Sequence, residues 1–103
     1  METRDLGHAL RALSDVARLR IIQYLAGHEG EITVSDLTRA LRISQPLVSW
    51  HLRKLRRAQL VLTRRVGRQV FCTLNRARLA DCSKSLSAWS DYQAAAVTQR
   101  TIQ

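Results

Sequence analysis

The sequence predicts a mainly α-helical single domain, five helices with one small β-hairpin, and three observations lead there. The chain has 103 residues, the size of one compact core without room for a second. One Pro and four Gly leave long stretches free to be helical. Aromatic residues are few (two Trp, two Tyr and one Phe), which suits packed aliphatic helices better than a sheet built on aromatic cross-strand pairs.

The elements follow in order along 1–103. Leu6, Leu10 and Leu13 repeat at i, i+4, i+7 and put one apolar stripe on a first helix, about 2–14, that needs a partner. Asp15 is placed to cap a second helix, Val16 to Ala26, which is apolar around most of its circumference and stops at Gly27, so it reads as central. After the polar loop 27–30, Glu31-Ile32 is able to pair as a short strand, and Thr33 caps a third helix with Val34, Leu37 and Leu41 on one face. Arg42-Ile43 is a two-residue break. Ser44 then caps a fourth helix with Pro46 in its first turn, where a missing N–H costs nothing, so about 33–59 reads as helix, tight turn, helix. Val48, Leu52, Leu55 and Gln59 share its inner side; Pro46, Ser49, Trp50, Arg53 and Arg57 cluster opposite by 100° steps. The β-rich runs 60–65 and 69–74 flank a turn at Gly67 and form the hairpin, about 60–74. Asn75 caps a last helix, about 76–99, with Leu79, Cys82, Leu86, Trp89, Gln93 and Ala96 near one face, and 101–103 reads as frayed.

The formal net charge of +9 is unevenly spread. Between Asp36 and Asp81 there is no acid, yet that stretch holds eleven basic residues, ten of them Arg; the remainder carries six basic against eight acidic residues. Such a segment is the footprint of a polyanion, and the planar Arg fork suits phosphates and guanine edges. A solvated face or a site for anionic lipid would give the same count. Trp50 narrows the choice, because an indole on a basic helix, opposite that helix's own core stripe, points to a partner surface; packing on a neighbouring loop or a second subunit is the plainer alternative. In a major groove, Gln45 and Ser49 would meet base edges and Trp50 a thymine methyl, with Ser44 and Pro46 at the same helix end. Arg53, Lys54 and Arg57 would follow on phosphates. Arg64, Arg65, Arg68 and Gln69 on the hairpin would reach a flanking backbone or minor groove, although a charged edge strand also serves against aggregation. His51 falls between Val48 and Leu55 in phase and reads as a partly buried structural histidine.

No window approaches the eighteen apolar residues of a membrane span, and residues 1–5 lack the apolar core of a signal peptide, so a cytoplasmic protein is expected. Cys72 and Cys82 are too few for a disulfide scaffold; both read as buried thiols, with reporting of oxidants or polysulfides as the alternative. There is no paired-carboxylate cluster, no phosphate-cradling Gly loop and no nucleophile beside a His and an acid, so an enzyme is not expected. Three functions stay open: sequence-specific repression on double-stranded DNA, nucleoid-type architectural binding, and a protein-interaction module.

The segments Ala12 to Ile22, Ser44 to Leu55 and Gly67 to Phe71 resemble the ArsR/SmtB family of winged helix-turn-helix repressors, and the likeness runs roughly from Leu6 to Leu86. The element Ser44-Gln45-Pro46-Leu47-Val48-Ser49-Trp50-His51-Leu52-Arg53-Lys54-Leu55 is fairly specific. The resemblance implies a homodimer joined by the first and last helices, with a fourth helix from each subunit in the major grooves of a near-palindromic operator. Leu6, Leu10 and Leu13, with Leu86 and Trp89, are the apolar residues suited to that interface. Members typically repress until an effector, often a metal ion, loosens their hold. This chain departs there. The family's Glu-Leu-Cys-Val-Cys-Asp box is Glu31-Ile32-Thr33-Val34-Ser35-Asp36, with hydroxyls in place of thiolates. In the last-helix zinc site Asp81 matches one ligand, whereas Ser83, Ala94 and Val97 fill the other places. No metal and no other cofactor is expected. Arg42 stands where the family often has Gly, and a left-handed Arg would cost ~1–2 kcal/mol.

Overall fold

The computed structural model describes residues 1–102, and side chains through Asp91; the side chains of Gln93, Ala94, Ala96 and Val97, named above, and residue 103 lie outside that set, while at 101–102 the helix continues where fraying was expected. The chain order is α1 (Thr3–Leu13), α2 (Val16–Ala26), β1 (Ile32–Thr33), α3 (Val34–Leu41), α4 (Gln45–Arg57), β2 (Val61–Val66), β3 (Gln69–Leu74) and α5 (Arg76–Ile102). This is a winged helix-turn-helix.

Local chemistry sets the boundaries. The Asp15 carboxylate accepts from the N–H groups of Ala17 and Arg18 at 2.8 and 3.2 Å and starts α2. Thr33 and Asp36 form a reciprocal capping box on α3. Ser44 occupies the N-cap of α4, but its hydroxyl makes no capping bond, contrary to expectation; Pro46 removes one N–H that would have needed it. Arg42 does adopt the left-handed conformation, φ 55° and ψ 44°. Its N–H donates to Thr38 O, and Arg20 donates to Leu41 O at 3.1 Å, so the end of α3 is satisfied from two sides and the strain is offset.

The helix-turn-helix also ends differently from the sequence reading. Gln59 lies past the end of α4 with φ 63°, not on its inner face. Leu60 N–H reaches Leu55 O and Gln59 N–H reaches Arg56 O, which is the Schellman pattern. Asn75 then donates to Gln59 O at 2.9 Å while its other side-chain atom caps α5. The wing is likewise one strand larger than a hairpin. β3 is central in the order β1-β3-β2, all antiparallel, with Ile32 opposite Cys72 and Thr33 opposite Phe71. Gly67 at φ 59° makes the two-residue turn between Val66 and Gln69.

Leu6, Ile21, Leu37, Val48, Leu55, Leu60 and Val61 are fully buried together. α2 is less central than its composition suggests, since Val16 and Leu19 are exposed and only Ile21, Ile22 and Leu25 enter the core. Arg78 ties α5 to α1, with two bonds of 2.7 Å to Asp5 and a third to Ala58 O. That guanidinium holds the Asp5 carboxyl below its ordinary range. Arg76 closes on the carbonyls of Ala26 and His28. Both arginines, counted above with the polyanion footprint, serve the fold.

Candidate nucleic-acid interface

At ~100° per residue the outward arc of α4 runs Gln45, Arg56, Ser49, Arg53, Pro46, Arg57, Trp50, Lys54. All are exposed except half-buried Lys54, while Val48, His51, Leu52 and Leu55 are buried beneath. Arg53 and Pro46 form the crest. The N-terminal end of α4 leaves main-chain N–H groups and the Ser44 hydroxyl outward, which suits an anion.

The residues read as one surface divide into two clefts along this crest. On the wing side, Gln45 and Ser49 line a cleft with Arg65, Arg68 and Gln69, continuous with one where Ser49, Arg53 and Arg56 face Thr63 and Arg65. No carboxylate lines either. On the other side, Trp50, Lys54 and Arg57 face His8, Arg11 and Ala12 of α1 and Arg18 of α2. Trp50 is 43% exposed; its ring carries Arg18 at 5.2 Å and Lys54 at 5.3 Å, and meets His51 edge-on at 5.0 Å. It is therefore half exposed and half packed on its own molecule. His51 is buried as expected, with Nδ1 accepting from Arg18 Nε at 3.1 Å.

Arg64 departs from its expected place among the wing contacts. Its guanidinium closes on Glu31 at 2.5 and 2.7 Å and lies 4.7 Å above the Phe71 ring. The pairing lowers the Glu31 carboxyl and raises Arg64. Strand alternation puts Arg64 on the face opposite Arg65, and its partner acid is 33 residues away, beyond the reach of local pattern. Arg56 was missed on the wing side, although the 100° steps place it between Gln45 and Ser49. Arg11 and Arg18 belong to helices that carried no signal of their own.

One further group is repositioned in part, and the cysteines lie where the sequence reading put them. Leu6, expected at a subunit interface, is 2% exposed inside the chain's own core, and Leu13 packs partly against it. The inward face of α1 is centred on Ala9 and Ala12, residues too small to register in a leucine count, so Leu10 sits at its edge and is exposed, as are Leu86 and Trp89. Cys72 and Cys82 are both buried free thiols. Burial pushes the Cys72 thiol up to about 12, and its S–H donates to Ile32 O at 3.1 Å, so it holds its proton at neutral pH.

The family's metal chemistry does not fit the third-helix position. Thr33 Oγ1 is committed to the Asp36 N–H, and Asp36 to the Thr33 N–H and to Arg39. Among the described residues there is no group of three or more His, Cys, Asp or Glu able to hold a metal ion, and no helix long and apolar enough to cross a membrane.

A helix-turn-helix whose second helix shows a carboxylate-free basic face beside a basic wing defines a DNA-binding module of the winged class. Residues 15–63 match the model of the bacterial regulatory protein arsR family. The arsenical resistance operon repressor of Staphylococcus aureus is 36% identical over 84% of this chain and 82% of its own length. Arsenic resistance transcriptional regulator ArsR1 of Pseudomonas putida is 42% identical over 63% of this chain, which spans half the length of that relative. An ArsR-like transcriptional regulator from Rhodococcus sp. RHA1 superposes with a TM-score of 0.74 at 27% identity, covering 93% of this chain and 92% of that one. The chain belongs to the ArsR/SmtB family of transcriptional repressors.

Proposed function

We propose that this chain acts as a cytoplasmic, homodimeric repressor that binds double-stranded DNA in sequence-specific fashion at a near-palindromic operator. The observation that carries the reading is the wing-side cleft, where Gln45 and Ser49 on α4 and Arg65, Arg68 and Gln69 on the wing converge without a carboxylate. With α4 in a major groove, Gln45, Ser49 and Trp50 read base edges, and Ser44, Arg53, Lys54, Arg56 and Arg57 take phosphates. Arg65, Arg68 and Gln69 follow the flanking backbone. Exposed Leu10, Leu86 and Trp89 on α1 and α5 supply the contact between subunits, and two copies put half-sites about 34 Å apart.

Selection of bound fragments from genomic DNA tests the reading, followed by titration of the selected duplex and a scrambled one at several salt concentrations. Trp50→Ala and Gln45→Ala are expected to flatten the preference between them. Arg53→Ala is expected to weaken both duplexes about equally and to reduce the salt slope by about one unit. Equal wild-type affinity for all duplexes would refute sequence-specific repression in favour of architectural binding.

A further inference from the structure

The cleft on the Trp50 side of α4 extends beyond the proposed duplex contacts, to Arg11 and Ala12 of α1 and Arg18 of α2. It encloses about 530 Å³, within the ~300–1,000 Å³ of small-molecule sites. Ala12, Ala58 and the Trp50 indole give it an apolar wall; Arg11, Arg18, Lys54 and Arg57 give it a cationic rim, and no carboxylate lines it. We propose that this cleft is an effector site for a small planar aromatic carboxylate, which lies against Trp50 and sets its charge among these cations.

Both halves of that ligand are specified. Arg18 is fixed before any ligand arrives, because Nε is held by His51 Nδ1 and Nη1 by Ala12 O, at 3.1 and 3.3 Å. Its Nη2 remains to donate to a carboxylate, and a donor already immobilised loses little entropy on binding. Arg18 and Lys54 both lie against the indole, so an anion there is paired with cations that the ring itself holds in place. A planar ring packs against the exposed part of Trp50 and dries the alanine wall. Inorganic phosphate would satisfy the cations and leave that wall wet, whereas an uncharged aromatic would leave the cations unpaired.

Occupancy covers Trp50, Lys54 and Arg57, so ligand and duplex exclude one another. This consequence, unlike the binding itself, rests on the proposed DNA-binding function.

The probe is 2-naphthoate, titrated into the intact protein while the two indole N–H resonances are followed by NMR. The resonance absent from Trp50→Phe is expected to move and saturate. 2-Naphthamide and cyclohexanecarboxylate are expected to bind about tenfold more weakly or worse. Arg11→Gln, at an exposed position outside the proposed duplex contacts, is expected to weaken naphthoate severalfold while duplex affinity stays unchanged. Naphthoate is expected to release a labelled duplex from wild type, and to require correspondingly more ligand with Arg11→Gln. A shift confined to Trp89, or no shift, overturns the site. Inorganic phosphate moving the Trp50 resonance at equal concentration also overturns it and identifies a seat for duplex phosphate. Binding without release of duplex overturns the regulatory step. Should no duplex bind at all, the DNA-binding reading fails by itself, and the naphthoate titration still decides the cleft.

Discussion

Two sets of arginines share one basic stretch and do opposite work. Arg64 and Arg78 are closed on carboxylates, and Arg76 on main-chain carbonyls. Arg53, Arg56, Arg57, Arg65 and Arg68 have no hydrogen-bonded partner among the described residues and stand exposed on α4 and the wing. The partners of the first set, Asp5 and Glu31, lie outside the stretch in sequence. A charge count therefore measures how many cations a segment carries, and only the fold decides which of them are offered to a partner.

The strongest way to break this comparison is to remove two of the offered arginines. Arg53→Ala with Arg68→Ala is expected to weaken duplex binding roughly a hundredfold near 0.1 M salt and to lower the salt slope by about two units. The thermal midpoint should stay where it is; a large fall would mean these side chains hold the fold.

Arg78→Ala is the converse. Losing the link from α5 to Asp5 and Ala58 O should lower the Tm by roughly 4–8 °C, read by calorimetry, with duplex affinity of the folded protein unchanged. Glu31→Gln sharpens the boundary between the sets. It releases Arg64, so duplex affinity should rise about threefold with a steeper salt slope, while Arg64→Ala changes affinity little.

The smallest effect is on acid stability. Asp5, Asp15 and Glu31 are held below ordinary values of 3.8, 3.8 and 4.5, by Arg78, by the Arg18 N–H and by Arg64 respectively. A lowered folded value adds stability above the unfolded one and loses it as pH falls through the folded one. The Tm should thus be level from neutral pH to about 5 and decline below about 4. Asp5→Asn should make that decline shallower.

Much of this was legible in the sequence, because the relevant chemistry is local. Asp15, Thr33 and Asn75 cap the helices they precede, Gly67 makes its turn, and the apolar spacing of α3 and α4 gives their inward faces. Residues that depend on distant partners were not legible. Arg64 and Arg78 needed Glu31 and Asp5; Leu6 needed the alanine face of α1; the short strand at Glu31-Ile32 was expected, but its partner β3 and its register opposite Cys72 and Phe71 were not. Trp50 fell between the two cases, since its outward angle follows from helical phase but its contact with Arg18 does not.

Thr33 belongs at once to the sheet, opposite Phe71, and to α3 as its cap, while Asn75 reaches from α5 to the residue that ends α4. The helix-turn-helix and the wing are thereby tied at two places, through the cap of α3 and through the residue just past α4. Segments tied in this way share their opening, so amide exchange across 33–75 is expected to slow or quicken as a block.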